Sequence, residues 1–316
     1  MPEPRTVVVA DPIDAAAIAR LRAGPCRVVD ASADPKSLAD HLGDAWGLIV
    51  RSRTKVTAEL LARAPRLALV ARAGVGVDNI DMAAAGARGI RVVNAPAAAT
   101  ASVAELTLAF YLMLVRGIVP QVSATRAGKW ERGSHGRELA GKTVGFVGYG
   151  RIAREVARRL RPFSAGAIAF DPFVPASEDG TEMVPFEALL ERADLVSLHA
   201  ALTPENRHLI NASTLGRMKP GAYLVNVARG ALVDEAALLA ALKAGRLAGA
   251  ALDVYEVEPP MNRELLELPT VIPTPHIGAL TLEGQGRAGS DTVDEVLRAL
   301  RGEALTSEVP APGRPA

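Results

Sequence analysis

Short aliphatic runs alternate along this chain with alanine- and leucine-rich stretches of helical period, in two successive series. Runs at 7–10, 48–50, 67–71 and 90–94 make up the first series, and runs at 144–147, 167–170, 195–198, 222–227 and 249–252 the second. Such runs are too short for helices and read as strands buried on both faces. Strands that alternate with helical patterns build βαβ units, and their crossovers force a parallel sheet covered by helices. The prediction is an α/β protein with two doubly wound parallel-sheet domains, and Gly74, Gly76 and Gly89 fall where a strand must turn at once. A length of 316 residues leaves each domain enough chain to bury its own core.

Between the two series, residues 102–116 are apolar on nearly every side except at Glu105 and Thr107. A helix of that kind must be covered all round, so it bridges the domains, packs in a subunit interface or lies in an ordinary core. Its most apolar part, 106–115, has about half the length that a bilayer requires. Residues 281–300 again have helical period, and a proline-rich tail begins at Pro310.

Lysine and arginine number 36 against 35 aspartates and glutamates, so no global field draws the chain to nucleic acid or an anionic membrane. A small-molecule partner is the expectation. Cys26 has no second cysteine to pair with, and the histidines lack the spacing of a zinc site. The expected protein is cytoplasmic and metal-free, and the first residues lack the basic and long apolar regions of an export signal.

The sharpest local pattern is the aliphatic run 144–147 breaking into Gly148-Tyr149-Gly150 before a helix predicted over 154–160. Read as G-x-G-x-x-A, Gly148 makes the tight turn, Gly150 lets backbone approach a pyrophosphate, and Ala153 keeps the helix close to its strand. Phosphates would then meet the free N–H groups at the helix start. The next run ends in Asp171, about twenty residues on, as a dinucleotide site requires. A carboxylate there accepts from both ribose hydroxyls and repels a 2'-phosphate, so the predicted cofactor is NAD.

Three later segments each put a polar residue where a parallel strand should end: Arg229 after Asn226-Val227-Ala228, Glu258 after Asp253, and His276 after Pro273. Ligands of open α/β sheets bind at those ends. Oxidising an alcohol to a ketone needs a base for the hydroxyl proton, a cation for a neighbouring carboxylate and a fixed hydride acceptor. His276 suits the proton role, Glu258 would stabilise its imidazolium, and the planar fork of Arg229 suits a carboxylate.

With these residues in view, the chain resembles the D-isomer-specific 2-hydroxyacid dehydrogenase family over nearly its whole length. The likeness is carried by 48–52, by 72–81, by Gly128-Lys129-Trp130-Glu131-Arg132 and by 218–260, and it is strongest to the branch that acts on 3-phosphoglycerate. The resemblance implies that Arg229, Glu258 and His276 are the catalytic trio. It implies NAD contacts from Arg151, Ile152, Asp171, Val227, Ala228, Arg229, Asp253, His276, Gly278 and Ala279, besides Gly148 and Gly150. It also implies a substrate loop containing Gly74, Val75, Gly76 and Asn79, near Arg51, Ser52 and Arg72. Arg51, Arg72 and Arg132 are the candidates for a substrate phosphate.

The implied architecture is a flavodoxin-like substrate domain, 1–94 with 281–316, into which a Rossmann NAD domain, 95–280, is inserted, in a homodimer. No regulatory module, and hence no serine feedback through one, is expected after the last helix. The chain departs from the family pattern at Val75, at Pro96 to Thr100 and at Ala200-Ala201, losing polar groups near cofactor and substrate. The alternatives are a glyoxylate or hydroxypyruvate reductase with the same trio, and an NAD-sensing binding protein of the corepressor kind.

Overall fold

The computed structural model describes residues 3–310 apart from Glu131 and Ser134. The tail past Pro310 and the glutamate of the Gly128 to Arg132 motif lie outside the described residues. The chain divides into two compact units, 1–99 with 279–316, and 100–278.

Among the described residues the first unit has five strands: β1 (Arg5–Val9), β2 (Cys26–Asp30), β3 (Ala45–Val50), β4 (Leu69–Arg72) and β5 (Arg91–Val93). They pair in parallel in the order β2-β1-β3-β4-β5, the flavodoxin-like arrangement. Successive residues of β1 face opposite ways. Val7 and Val9 pack with Ile49, Leu69 and Val293 on one side, while Val8 packs with Leu48, Val50 and Val70 on the other. Both sheet faces are thus covered, as continuous aliphatic runs require. Helix Leu282–Arg301 supplies Val293 and Val296 to that cover, starting at a Thr281 side-chain cap and stopping at Gly302, whose φ is 73°. The segment after it lies antiparallel along β5, with Val93 paired to Glu308.

Among the described residues the second unit has seven strands: β6 (Thr143–Val147), β7 (Gly166–Phe170), β8 (Glu182–Met183), β9 (Leu195–Leu198), β10 (Ala222–Asn226), β11 (Leu247–Leu252) and β12 (Val271–Pro273). Their order is β12-β11-β10-β9-β6-β7-β8. Counted from β6 this is the Rossmann order with a seventh strand at one edge, and its switch point lies between β6 and β9. The two parallel α/β domains predicted from the alternation are therefore present.

Two strands, β2 and β8, escaped that reading and β12 was read only from its end at Pro273, each for a physical reason. Edge strand β2 offers only Val28 and Val29 between exposed Arg27 and Asp30, and β8 is two residues long. β12 ends in Pro273 opposite Leu252, an edge position where a missing N–H costs no ladder bond. The helix after Gly150 starts at Arg151 rather than 154.

Helix Thr100–Arg116 is the apolar helix expected over 102–116. Phe110, Tyr111 and Leu114 are buried against the sheet, but Leu108, Leu112 and Met113 are half-buried and Ala109 is exposed. One side of this helix is therefore uncovered in the single chain. Among the described residues no single helix is long and apolar enough to cross a membrane.

Candidate active site

The turn after β6 is shaped by what it cannot hold. Gly148 has φ 86°, and a Cβ there would fall 2.6 Å from the Ala200 nitrogen, so the turn presses directly on the chain leaving β9. A Cβ on Gly150 would meet nothing within 4 Å, which leaves open space over the start of helix Arg151–Leu160. That start has no side-chain cap, so its first N–H groups face the open space. Tyr149 between the glycines is wholly buried, and its hydroxyl lies 2.7 Å from Asp179 and 2.6 Å from the Thr181 hydroxyl.

Asp171 stands at the end of β7. One carboxylate oxygen accepts the Tyr149 N–H at 2.8 Å and the other the Phe173 N–H at 2.9 Å. Each oxygen keeps lone pairs for further donors, so the pair of bonds aims the group without saturating it. Open space above Gly150, an uncapped helix start and an aimed acid beside it together fit a dinucleotide.

All three candidates, Arg229, Glu258 and His276, stand on loops of the second unit. Buried Asn226 folds the first loop, accepting from Ala228 N–H at 3.1 Å and donating to the Arg229 carbonyl at 2.9 Å. Gly230 follows, and a Cβ there would lie 1.8 Å from the Tyr255 carbonyl carbon. The Arg229 loop and the 253–258 loop are therefore in backbone contact. Glu258 closes on His276 with Oε2 2.9 Å and Oε1 3.2 Å from Nδ1. His276 itself has φ 53°, a left-handed conformation that few side chains adopt without a surrounding constraint.

Asp253 supplies that constraint. It is 1% exposed, and its carboxylate accepts from the Thr274 hydroxyl, the Ile277 N–H and the Gly278 N–H at 2.6, 2.8 and 2.8 Å. The Tyr255 hydroxyl adds a bond to the Thr274 carbonyl at 3.0 Å. Asp253 thus holds the histidine turn as well as standing among the residues expected at the cofactor. Val227, Ala228 and Gly278 lie on the same loops, and Arg151 and Ile152 open the helix after Gly150.

The substrate candidates other than Arg132 belong to the first unit, at whose boundary the cofactor candidate Ala279 also lies. Asp11, 1% exposed at the end of β1, organises the 51–54 loop. Its carboxylate accepts from the Arg51 N–H at 2.6 Å, the Thr54 N–H at 3.1 Å and the Thr54 hydroxyl at 2.6 Å, and Arg53 pairs with it at 3.2 Å. Burial works to raise its pKa, but these bonds outweigh burial and hold it below the ordinary carboxylate value.

Asn79 spends its amide N–H groups on the Arg51 and Thr54 carbonyls, both at 2.7 Å, leaving only its oxygen for a ligand. Arg51 is held loosely, with Nη1 3.4 Å from both the Pro12 carbonyl and Gln285. Arg72 lies against Gly74, where a Cβ would overlap its guanidinium. Ser52 is exposed, and Val75 and Gly76 are half-buried on the neighbouring loop. Arg132 lies in the second unit, in an exposed stretch. Asp11, Asn226 and Tyr255 were not singled out from the sequence; the signal available for Asp11 was a lone acid directly after a buried run.

A dinucleotide turn and an acid after the second strand of a Rossmann sheet define a dinucleotide-binding domain, and a paired histidine and glutamate stand on its loops. Residues 108–278 match the family described as D-isomer specific 2-hydroxyacid dehydrogenase, NAD binding domain. The chain belongs to the D-isomer-specific 2-hydroxyacid dehydrogenase family.

It is 43% identical over 314 residues to the D-3-phosphoglycerate dehydrogenase of Methanocaldococcus jannaschii, covering 98% of this chain and 60% of that protein. The chain thus spans little more than half the length of such relatives. A crystal structure of a Thermus thermophilus protein superposes with a TM-score of 0.88 at 37% identity, covering 96% of this chain and all of that one. A glyoxylate reductase of Paecilomyes thermophila also reaches 0.88, at 31% identity over 98% of this chain and 99% of its own.

Proposed function

We propose that the chain transfers a hydride between NAD and C2 of a D-2-hydroxy acid, with 3-phosphoglycerate and 3-phosphohydroxypyruvate as the substrate pair. The observation that carries this reading is the Glu258–His276 pair on loops in backbone contact with the Arg229 loop. An ionised carboxylate only accepts, so the Nδ1 that meets Glu258 carries the hydrogen and Nε2 is left as the base. In the oxidative direction Nε2 takes the hydroxyl proton, and in reduction the imidazolium returns it. Arg229 grips the C1 carboxylate with its planar fork, and the 74–79 loop of the first unit is read as a carboxylate loop by the family resemblance. NAD, when bound, supplies the hydride acceptor; Gly148, Gly150, the first turn of helix Arg151–Leu160 and Asp171 hold it.

In this reading unit 100–278 is the cofactor domain, and 1–99 with 279–316 the substrate domain. The likeness to a glyoxylate reductase supports a second reading, reduction of glyoxylate or hydroxypyruvate by the same trio. Purified protein with NADH against 3-phosphohydroxypyruvate, hydroxypyruvate, glyoxylate and pyruvate decides between them. Preference for 3-phosphohydroxypyruvate supports the first, and no turnover on any of the four rejects both.

The same proposal includes a cytoplasmic homodimer that binds neither nucleic acid nor membrane. The uncovered side of helix Thr100–Arg116, exposed Ile118 and Val122, and Trp130 at 82% exposure support pairing through the second unit. Light scattering at micromolar concentration that returns a monomer would remove the dimer.

A further inference from the structure

Two peptide planes of the 74–79 loop are held by the residues that follow β5. The Gly74 carbonyl accepts the Ala95 N–H at 2.9 Å. The Val75 carbonyl accepts from the side-chain amide of Asn94. In a trans peptide the carbonyl and the next N–H point in opposite directions. Anchoring these two carbonyls on one side therefore turns the N–H groups of Val75 and Gly76 to the other, where neither meets an acceptor among the described residues. Adjacent N–H groups facing one way make a concave seat for an anion.

Asn94 is itself locked. Its N–H donates to the Ser307 carbonyl at 3.2 Å, and its carbonyl accepts the Ser307 hydroxyl at 2.7 Å. Ser307 sits in the segment laid along β5, and that segment is fastened by Glu295, a side chain on helix Leu282–Arg301 that is 3% exposed. Glu295 accepts from the Thr306 N–H at 2.9 Å, the Thr306 hydroxyl at 2.5 Å and the Ser307 N–H at 3.3 Å. A buried carboxylate with three donors holds firmly, because each bond to a charge is stronger than a neutral one. Every link from Glu295 to Val75 lies within the first unit.

We propose that Asn94, locked by Ser307 and Glu295, is a positioning residue that aims the Val75 and Gly76 N–H groups at the carboxylate of the substrate. The stretch after the last helix thereby sets affinity for the 2-oxo acid. This rests on the reading of 74–79 as the carboxylate loop.

The test uses Asn94→Ala and Ser307→Ala in the full chain, with two readouts. Without any ligand, backbone order parameters of Val75 and Gly76 fall in Asn94→Ala from the rigid value of about 0.85 to below about 0.6, while β1 and β3 keep theirs. With substrate, KM for the 2-oxo acid rises about tenfold in Asn94→Ala and less in Ser307→Ala, while kcat and NADH affinity stay within about a factor of two. Unchanged order at Val75 and Gly76, loosening spread over the whole unit, or an unmoved KM despite a loosened loop each overturn the proposal. If wild type turns over no 2-oxo acid, the reading of the site fails by itself, and the ligand-free order parameters still decide whether Asn94 sets the loop. Should Asn94→Ala not fold, Ser307→Ala carries both readouts.

Discussion

Glu258 meets His276 through Nδ1 at 2.9 Å, which leaves Nε2 as the one ring nitrogen able to exchange a proton with a bound alcohol. His276→Ala is expected to lower turnover about a hundredfold to ten-thousandfold, the usual worth of a positioned acid–base group. NADH affinity, read by fluorescence titration, stays near wild type. Glu258→Gln causes a smaller loss, since an uncharged partner no longer favours the imidazolium. Turnover of His276→Ala within about a factor of two of wild type would take the histidine out of the chemistry.

Asp171 is expected to set the choice of coenzyme. A 2'-phosphate about 4 Å from its carboxylate meets repulsion of roughly 1 to 4 kcal/mol per unit charge. Asp171→Ala narrows the preference for NADH over NADPH, mainly by raising the KM for NADH, because the ribose hydroxyls lose their acceptor. Steady-state kinetics with both coenzymes check this, and wild type using both equally well would sink the assignment.

Arg51 is the candidate for the far end of a phosphorylated substrate, since its guanidinium has only long contacts of 3.4 Å to give up. Charge-assisted bonds to phosphate contribute roughly 1.5 to 3 kcal/mol, so Arg51→Ala raises KM for 3-phosphohydroxypyruvate about tenfold to a hundredfold. Glyoxylate, which has no phosphate, is scarcely affected. Equal loss on both substrates would make Arg51 a scaffold residue.

Burial pushes the His199 imidazole from 6.5 down to about 3. Its Nε2 lies 2.8 Å from the Ser197 hydroxyl, and Nδ1 is buried without a partner. Below pH 6.5 the unfolded chain binds a proton that the folded chain refuses, so this residue's contribution is complete above 6.5 and declines toward pH 3. The slope is about 1.4 kcal/mol per pH unit well inside that window. Thermal melts from pH 7.5 to 5 show the wild-type Tm falling; His199→Gln, lower at pH 7.5, shows a flatter profile. Parallel profiles for the two proteins would refute the assignment.

The buried strands were legible because apolar side chains on both faces of a parallel sheet leave uninterrupted aliphatic runs. The Gly148 turn was legible because few other residues suit a positive φ in so tight a space. Arg229, Glu258 and His276 were legible because each follows a strand and carries reactive chemistry. Asp11, Asn94 and Asn226 were not, because a polar residue after a strand reads the same whether it meets a ligand or ties backbone. Asp11 takes its donors from about forty residues away and Asn94 from more than two hundred, distances at which periodicity and spacing carry no information. Helix Thr100–Arg116 was legible as an apolar helix, but hydrophobicity states that a face needs covering without stating what covers it.

Gly230 against Tyr255 has a bearing on how this scaffold can diversify. With no room for even a methyl group, the Arg229 loop and the 253–258 loop behave as one solid part, and position 230 is closed to mutation. A laboratory selection for a new hydroxy acid would then find its productive changes elsewhere. Exposed Ser52 and half-buried Val75 are open positions of that kind, because Asp11 and Asn94 keep the backbone in place while the side chains vary.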